Sequence, residues 1–454
     1  MAERTPPDQT PPAWRWASLG TLFVGAALGL AASGSAGGGL VGRLAGLVAT
    51  GSVVSLALAG RRPPVPPGAA PLDPGAPPAT FSVVVAARDE AAVLPDLVRD
   101  VAGQDHRAPD GTPLFELIVV DDGSTDGTGE AVRTAADAAG IGLVTRIVRR
   151  EGDDLPDGKG AALTAAQPEI CHGEVIVVLD ADARIGPAFL GRIAAYVAAG
   201  ASALTARRRI LDAASSSLAG AQADEQTLDG EIQRGRWSLG GCSEFRGNGI
   251  VVRRELLAAA GGWRAEALTE DLDLSSRLAA RFGVTVAWAI DAEVWEEPVR
   301  SVGGLWRQRV RWAEGGIRRV LEHGPAILTS RALGPAARLD FALYAGQLAI
   351  PSVILGSLGG ALVRRRTGLA AALVGAYLGT GGALAWDSLR WETASNGGPL
   401  TPSERMARTI RVALFNGIWL GAIPAALWRL GTRNGRLGYE KMAHVGGGRG
   451  EWSR

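Results

Sequence analysis

Apolar positions fall in blocks along this chain. They crowd into residues 16–60 and 339–428, whereas 80–325 shows the mixed polar and apolar pattern of a globular domain. The run WASLGTLFVGAALGLAASG (16–34) carries no charge and is long enough to cross a bilayer as a helix. A second run, 38–60, carries one charge, Arg43. Two such runs in succession, with no basic segment of signal-peptide type before Pro11, predict a transmembrane hairpin over 16–60. Residues 1–15 are polar and proline-rich and are expected to be disordered. Residues 61–80, RRPPVPPGAAPLDPGAPPAT, read as a semi-rigid, extended linker. Further on, apolar runs near 339–361, 367–386 and 409–428 predict a C-terminal transmembrane region over 336–430, followed by a basic, flexible tail at 431–454. Pro351 interrupts the first of these runs, and Arg364–Arg366 and the basic tail cannot share one side if every run crosses fully. Four or five crossings are expected in all.

Between the membrane runs the period changes. FSVVVAA (81–87) is a short continuous apolar run rich in β-branched residues, the pattern of a strand buried on both faces. A helix-like stretch (EAAVLPDLVRDVAGQ), a strand (FELIVVDD), a helix (TDGTGEAVRTAADAAG) and further strands at LVTRIVRR and EVIVVLDAD follow. This alternation predicts an α/β fold, Rossmann-like, with a mostly parallel sheet covered on both faces. Ligands of such sheets bind beyond the carboxyl ends of the strands. Two acidic clusters stand there, Asp121–Asp122 and Asp180–Asp182.

Charge and cysteine usage narrow the partners. A net charge of +1 gives no electrostatic footprint for a polyanion, so no nucleic acid is expected. Two cysteines, Cys171 and Cys242, cannot build a disulfide framework and fit reduced thiols in a cytoplasmic domain. Arg61 and Arg62, with Arg4 and Arg15 before the hairpin, place its flanks on the cytoplasmic side and predict an integral inner-membrane protein with its catalytic domain in the cytoplasm.

The candidate chemistry lies at five segments. Asp180 and Asp182, one residue apart at a strand end, can hold a hard divalent cation against a diphosphate; alone, the pair is equally a solvated turn. Acids in Asp121-Asp122-Gly123-Ser124-Thr125-Asp126 can accept hydrogen bonds from a base N–H or ribose hydroxyls, Asp126 being better placed as a helix cap. Lys159, flanked by Gly158 and Gly160 in a chain with few lysines, suits a phosphate or sugar contact. In Thr269-Glu270-Asp271-Leu272-Asp273, a carboxylate at a helix start could take the proton of an attacking alcohol, or simply favour the helix dipole. Finally, the amphipathic basic segment Leu305–Trp312 puts Gln308, Arg311 and Trp312 on one helical face. Arginine there can grip a diphosphate and tryptophan can stack on a sugar, or the helix can lie among lipid headgroups.

Taken in order, VVVAARDE, VVDDGSTDGT, GKG, LDAD, FRGNG, GGW, LTEDLDLSSRL and QRVRW resemble the membrane-integrated family 2 glycosyltransferases, from about Phe81 to Gly316. That branch includes cellulose-, hyaluronan- and chitin-type synthases and ceramide glucosyltransferases. The resemblance implies a GT-A catalytic domain (81–300) flanked by transmembrane α-helices, with amphipathic interfacial helices at 301–335. It implies an inverting transfer of a hexose or N-acetylhexosamine from a nucleotide sugar, UDP-linked, with Mg2+ or Mn2+. Ala87, Glu90 and Asp122 would hold the nucleoside. Asp180 and Asp182 would serve the diphosphate and metal, Lys159 would line the donor pocket, and Asp271 would be the general base. Gln308, Arg311 and Trp312 match Q-x-x-R-W, which contacts the pyrophosphate and the acceptor end. Two positions depart from the pattern: Ala86 stands for a proline and Asp89 for an asparagine. The segment 240–274 is closer to bacterial enzymes of lipid-like acceptors, carotenoid glycosyltransferases among them. The expected acceptor is therefore a lipid-like alcohol among membrane lipids, with processive polysaccharide synthesis onto a saccharide acceptor as the alternative. A pyrophosphorylase would need a Gly-rich basic loop after the first strand, where AARDEAAVLP stands, and a transporter would need ionisable groups within its spans.

Overall fold

The structure, a computed structural model, describes residues 10–34, 78–152, 158–394 and 398–432. Its strands are β1 (Phe81–Ala87), β2 (Phe115–Asp121), β3 (Thr145–Arg149), β4 (Val175–Asp180), β5 (Arg184–Ile185), β6 (Ala203–Ile210), β7 (Ile250–Arg253) and β8 (Ala287–Glu296). Its α-helices are α1 (Pro12–Ala32), α2 (Leu94–Ala102), α3 (Thr128–Ala138), α4 (Lys159–Leu163), α5 (Phe189–Ala198), α6 (Ser217–Ser238), α7 (Arg254–Ala259) and α8 (Glu270–Phe282). They continue with α9 (Val302–Thr329), α10 (Pro335–Gly346), α11 (Ile350–Val363), α12 (Thr367–Ser388), α13 (Pro402–Phe415) and α14 (Ile418–Thr432). The chain divides into two compact units, one holding the sheet and one holding α1, α6 and α9–α14.

In the sheet unit the strand order is β3-β2-β1-β4-β7-β6-β8-β5. The strands β3, β2, β1 and β4 are parallel neighbours, as are β6 and β8. Alternate residues explain the continuous apolar runs. Val83, Val85, Leu117, Val119, Val177 and Leu179 pack toward α2, α3 and α5, while Val84, Ile118, Ile176 and Val178 pack toward α4 and α8. Both faces are buried, so the middle of each strand is apolar at consecutive positions. The sheet is mixed rather than purely parallel, because β7 runs antiparallel to β4 and β6 and β5 runs antiparallel to β8. The chain leaves β6 at the carboxyl edge and re-enters β7 from that same edge. This reversal sets Gly247-Asn248-Gly249 beside the carboxyl end of β4, where Gly249 N–H bonds Val178 O at 3.0 Å.

Among the described residues of the helical unit, four stretches are long and apolar enough to cross a membrane: Pro12–Ala32, Pro335–Val363, Thr367–Trp391 and Pro402–Thr432. The first is helical from Pro12, since proline is well tolerated at a helix start. The second run of the expected hairpin (38–60), linker residues 61–77 and the tail beyond 432 lie outside the described residues. Helices α1 and α11 pack in parallel through small residues. Gly25, Gly29 and Ser33 face Ser352, Gly356 and Gly360, and a Cβ on Gly29 would overlap the Val353 carbonyl, one on Gly356 the Ala26 carbonyl. Such spacing lets apolar helices touch backbone to backbone. Pro351 sits in the first turn of α11 and marks the break between α10 and α11. Arg364 donates to Ser33 Oγ (2.8 Å) and Arg366 to Ser33 O (2.9 Å) at the end of α1. Midway along α1, Phe23 meets Trp428 edge-on at 6.1 Å. The 301–335 segment forms one long helix, α9, whose Val310, Ala313 and Ile317 pack on Ala422, Ala426 and Leu427 of α14.

Candidate active site

Strand register builds the site's floor. Ala87 lies opposite Asp121 and Ala86 opposite Asp180, so β1, β2 and β4 end level and present their acids side by side. The loop after β1 is latched to the loop after β2. Asp89 takes a left-handed φ of 53° and accepts the Thr125 N–H at 2.7 Å. Its own N–H donates to Ser124 Oγ (2.9 Å), Glu90 N–H to Thr128 Oγ1 (2.8 Å) and Ala91 N–H to Asp126 Oδ2 (3.0 Å). Asparagine and aspartate are the side chains best suited to left-handed backbone, so the departure at position 89 preserves this turn. Asp126 stands one residue before the N-cap Gly127 and accepts the Thr128 N–H from there (3.0 Å), so it acts just outside the helix.

The two acids of β2's end divide their work. Asp121 is buried and occupied, accepting from Ser124 N–H (2.9 Å) and Arg149 Nη1 (2.9 Å). Asp122 is half-buried, its N–H held by Ala87 O (2.8 Å) and its carboxylate paired with Arg150. Arg150 was not singled out from the sequence: only the register β2–β3 brings it to this carboxylate.

At β4's end, Asp180 N–H donates to Asn248 Oδ1 (3.1 Å), and Asp180 Oδ1 accepts from Lys159 Nζ (2.5 Å). Asp182 accepts the Glu297 N–H (3.2 Å). Asn248 in turn donates to Glu296 (3.3 Å), which Arg208 grips with two nitrogens at 3.0 and 2.5 Å. Positive φ at Gly247 and Gly249 shapes this turn, and a Cβ on Gly249 would sit 2.5 Å from Ala206 Cβ. Burial, with the charges of Asp180 and Glu296, pushes the Asp182 carboxyl far above the carboxylate range. Such a like-charged cluster of hard oxygen donors fits a divalent cation, which would relieve the repulsion.

Helix α8 starts at Glu270, earlier than the apolar pattern suggests, with Thr269 before it. The three acids of this segment separate cleanly. Asp273 is committed to Arg264 (2.9 Å) and Arg277 (2.9 Å). Glu270 is buried, 3.4 Å from Lys159 Nζ. Asp271 is half-buried beside Gly247, where a Cβ would lie 3.7 Å from its Oδ2. Burial first, then the neighbouring Glu270, pushes its carboxyl up to about 7, against the Leu272 N–H, Lys159 and Arg246. Lys159 opens α4 and also donates to Gly247 O (2.8 Å). Burial opposes its charge, but Asp180, Glu270 and Asp271 outweigh it and hold the ammonium protonated. One ammonium therefore ties the Asp180 end of the site to the Asp271 end.

Ala87, Glu90, Asp122, Lys159, Asp180, Asp182 and Asp271 all belong to the sheet unit. Gln308, Arg311 and Trp312 belong to the helical unit, half-buried on one side of α9. Glu270 stood inside the acidic helix start without a role of its own, and Asn248 and Glu296 were missed because their partners are distant in sequence; FRGNG signals a turn, but its contact with β4 depends on the reversed strand.

The family model for glycosyltransferase like family 2 matches residues 77–315. A β-monoglucosyldiacylglycerol synthase of Trichormus variabilis is 32% identical over 382 residues, 81% of this chain and 77% of that protein. A poly-β-1,6-N-acetyl-D-glucosamine synthase of Staphylococcus epidermidis is 27% identical over 257 residues, 55% of this chain and 58% of that protein. Among solved structures, a mannosyltransferase of Pyrobaculum calidifontis in complex with GDP-Man and Mn2+ superposes with a TM-score of 0.56 at 22% identity, covering 84% of this chain and 97% of that one. The last shows the GT-A fold. Half the chain under one family model, together with so long a match to a named relative, settles membership: this chain belongs to glycosyltransferase family 2 and is a glycosyltransferase.

Proposed function

We propose that the protein transfers a hexose from a UDP-sugar to the hydroxyl of a diacylglycerol-like lipid, inverting the anomeric centre. The observation that carries this reading is the extent of the two likenesses. The lipid glucosyltransferase match runs over 81% of the chain, well past the family-matched residues 77–315, whereas the polymer-synthase match covers 55%. A relative that matches well beyond the catalytic domain is the better guide to the acceptor.

The chemistry follows from the site's residues. Ala87, Glu90 and Asp122 hold the nucleoside. Asp271 takes the proton of the acceptor hydroxyl as its oxygen attacks the anomeric carbon; the bond from that carbon to the diphosphate oxygen breaks, and its electrons leave with the nucleoside diphosphate. Lys159 offers fixed positive charge toward the leaving group. A Mg2+ or Mn2+ ion held by Asp180 and Asp182 would neutralise further charge on the diphosphate. Gln308, Arg311 and Trp312 serve the pyrophosphate and the acceptor end. The apolar stretches support a membrane-embedded protein, and Arg4, Arg15, Arg61 and Arg62 on the flanks of the expected hairpin support an inner-membrane enzyme with a cytoplasmic catalytic domain.

Membranes carrying the protein, incubated with a panel of radiolabelled nucleotide sugars and then extracted, test the reading. Label in the organic phase with a UDP-hexose supports it. High-mass insoluble label would replace it with processive synthesis.

A further inference from the structure

The helical unit contains a buried charged assembly that the chemistry above does not use. Helix α6 carries two adjacent acids, Asp224 and Glu225, both buried. Neighbouring positions on a helix point about 100° apart, so the two reach different helices. Asp224 accepts from Arg408 (2.6 Å) and Arg411 (2.7 Å) of α13. Glu225 accepts from Trp419 Nε1 of α14 (2.9 Å) and from Arg309 Nε of α9 (3.3 Å), with Arg309 Nη2 on its second oxygen. Arg309 is the largest fully buried side chain described, 2% exposed. Its guanidinium carbon lies 4.2 Å from the ring centroid of Trp312 and 5.8 Å from that of Trp419, and its Nη1 donates to Gln308 Oε1.

We infer that Glu225 and Arg309 are positioning residues for the acceptor-side motif. Gln308 and Trp312 are both held by the Arg309 side chain, and Glu225 fixes that side chain in turn. The inference rests on the assignment of Gln308, Arg311 and Trp312 to the acceptor end. A planar guanidinium is needed because it must stack on an indole while using its forked donors on a carboxylate and an amide; a lysine ammonium can do only part of this. Asp224 secures the same helix to α13, so the support of the motif comes from the segment between β6 and β7.

The test uses the full-length protein in detergent–lipid micelles, with Glu225→Gln and Arg309→Lys as variants. Two rates are measured: transfer to diacylglycerol, and acceptor-independent release of UDP from the donor into water, which needs only donor-site residues. Both variants are expected to raise acceptor KM about tenfold and to change UDP release and donor KM by markedly less, since the donor is also held by residues these variants do not touch. Acceptor KM unchanged in a folded variant would overturn the inference, as would UDP release falling in step with transfer, the mark of a general structural role. Arg309→Lys matching the parent would show that charge alone suffices and would overturn the stacking argument. Failure of the parent itself to transfer to any lipid would instead strike the acceptor reading.

Discussion

Replacing Asp271 by asparagine removes the carboxylate at the start of α8 that is neither hydrogen-bonded to two arginines, as Asp273 is, nor ion-paired at 3.4 Å with Lys159, as Glu270 is. A general base contributes about 10²–10⁴-fold, so kcat should fall by that factor while donor affinity stays near the parent value. The pH profile makes the test sharper. Burial and Glu270 raise the Asp271 carboxyl to about 7, and a base works only when deprotonated. Activity should therefore rise with pH through this point: the deprotonated fraction goes from about 9% at pH 6 to about 91% at pH 8, close to tenfold in kcat. Removing the like charge with Glu270→Gln should shift the midpoint downward. The assay is UDP release coupled to lipid transfer between pH 5.5 and 8.5, at saturating donor. A flat profile across this range, or an Asp271→Asn enzyme within about threefold of the parent, would refute the assignment.

Other outcomes follow from single contacts. Lys159→Met should raise donor KM by about 10-fold or more, read by nucleotide titration, since it deletes the ammonium between Asp180 and Gly247. Asp182→Asn should weaken binding of Mn2+, followed by electron paramagnetic resonance, with the fold intact by circular dichroism. Gly249→Ala meets both a positive φ of 74° and the Ala206 Cβ, so it should cost about 1–3 kcal/mol and lower Tm by several degrees. Gly29→Leu should separate α1 from α11 and reduce the folded fraction recovered in mild detergent, as measured by size-exclusion chromatography.

The sheet was legible because its parallel strands are buried on both faces and write themselves as unbroken apolar runs, as FSVVVAA and EVIVVLD do. Acids directly after such strands had to lie at one edge, so Asp122, Asp180 and Asp182 could be named from spacing and motif alone. What stayed hidden depends on contacts distant in sequence. Asn248 reaches Asp180 only because β7 runs backwards, and Glu296 reaches Asn248 only across β6 and β8. Arg309 was passed over between the more familiar Gln308 and Trp312, because its partner Glu225 lies 84 residues earlier. The arginines of 301–335 mark an amphipathic segment in the sequence, but not that two of them in α9 pair with acids, Arg309 with Glu225 and Arg318 with Glu314.

The most direct measurement of the central claim reconstitutes the purified protein in vesicles with and without diacylglycerol, supplies a UDP-hexose and Mg2+, and identifies the product by mass spectrometry. The account predicts one hexose added per lipid, an inverted anomeric linkage by NMR, one UDP released per product, and about 10²–10⁴-fold slower product formation with Asp271→Asn. Hexose polymer formed equally well without the lipid would contradict it.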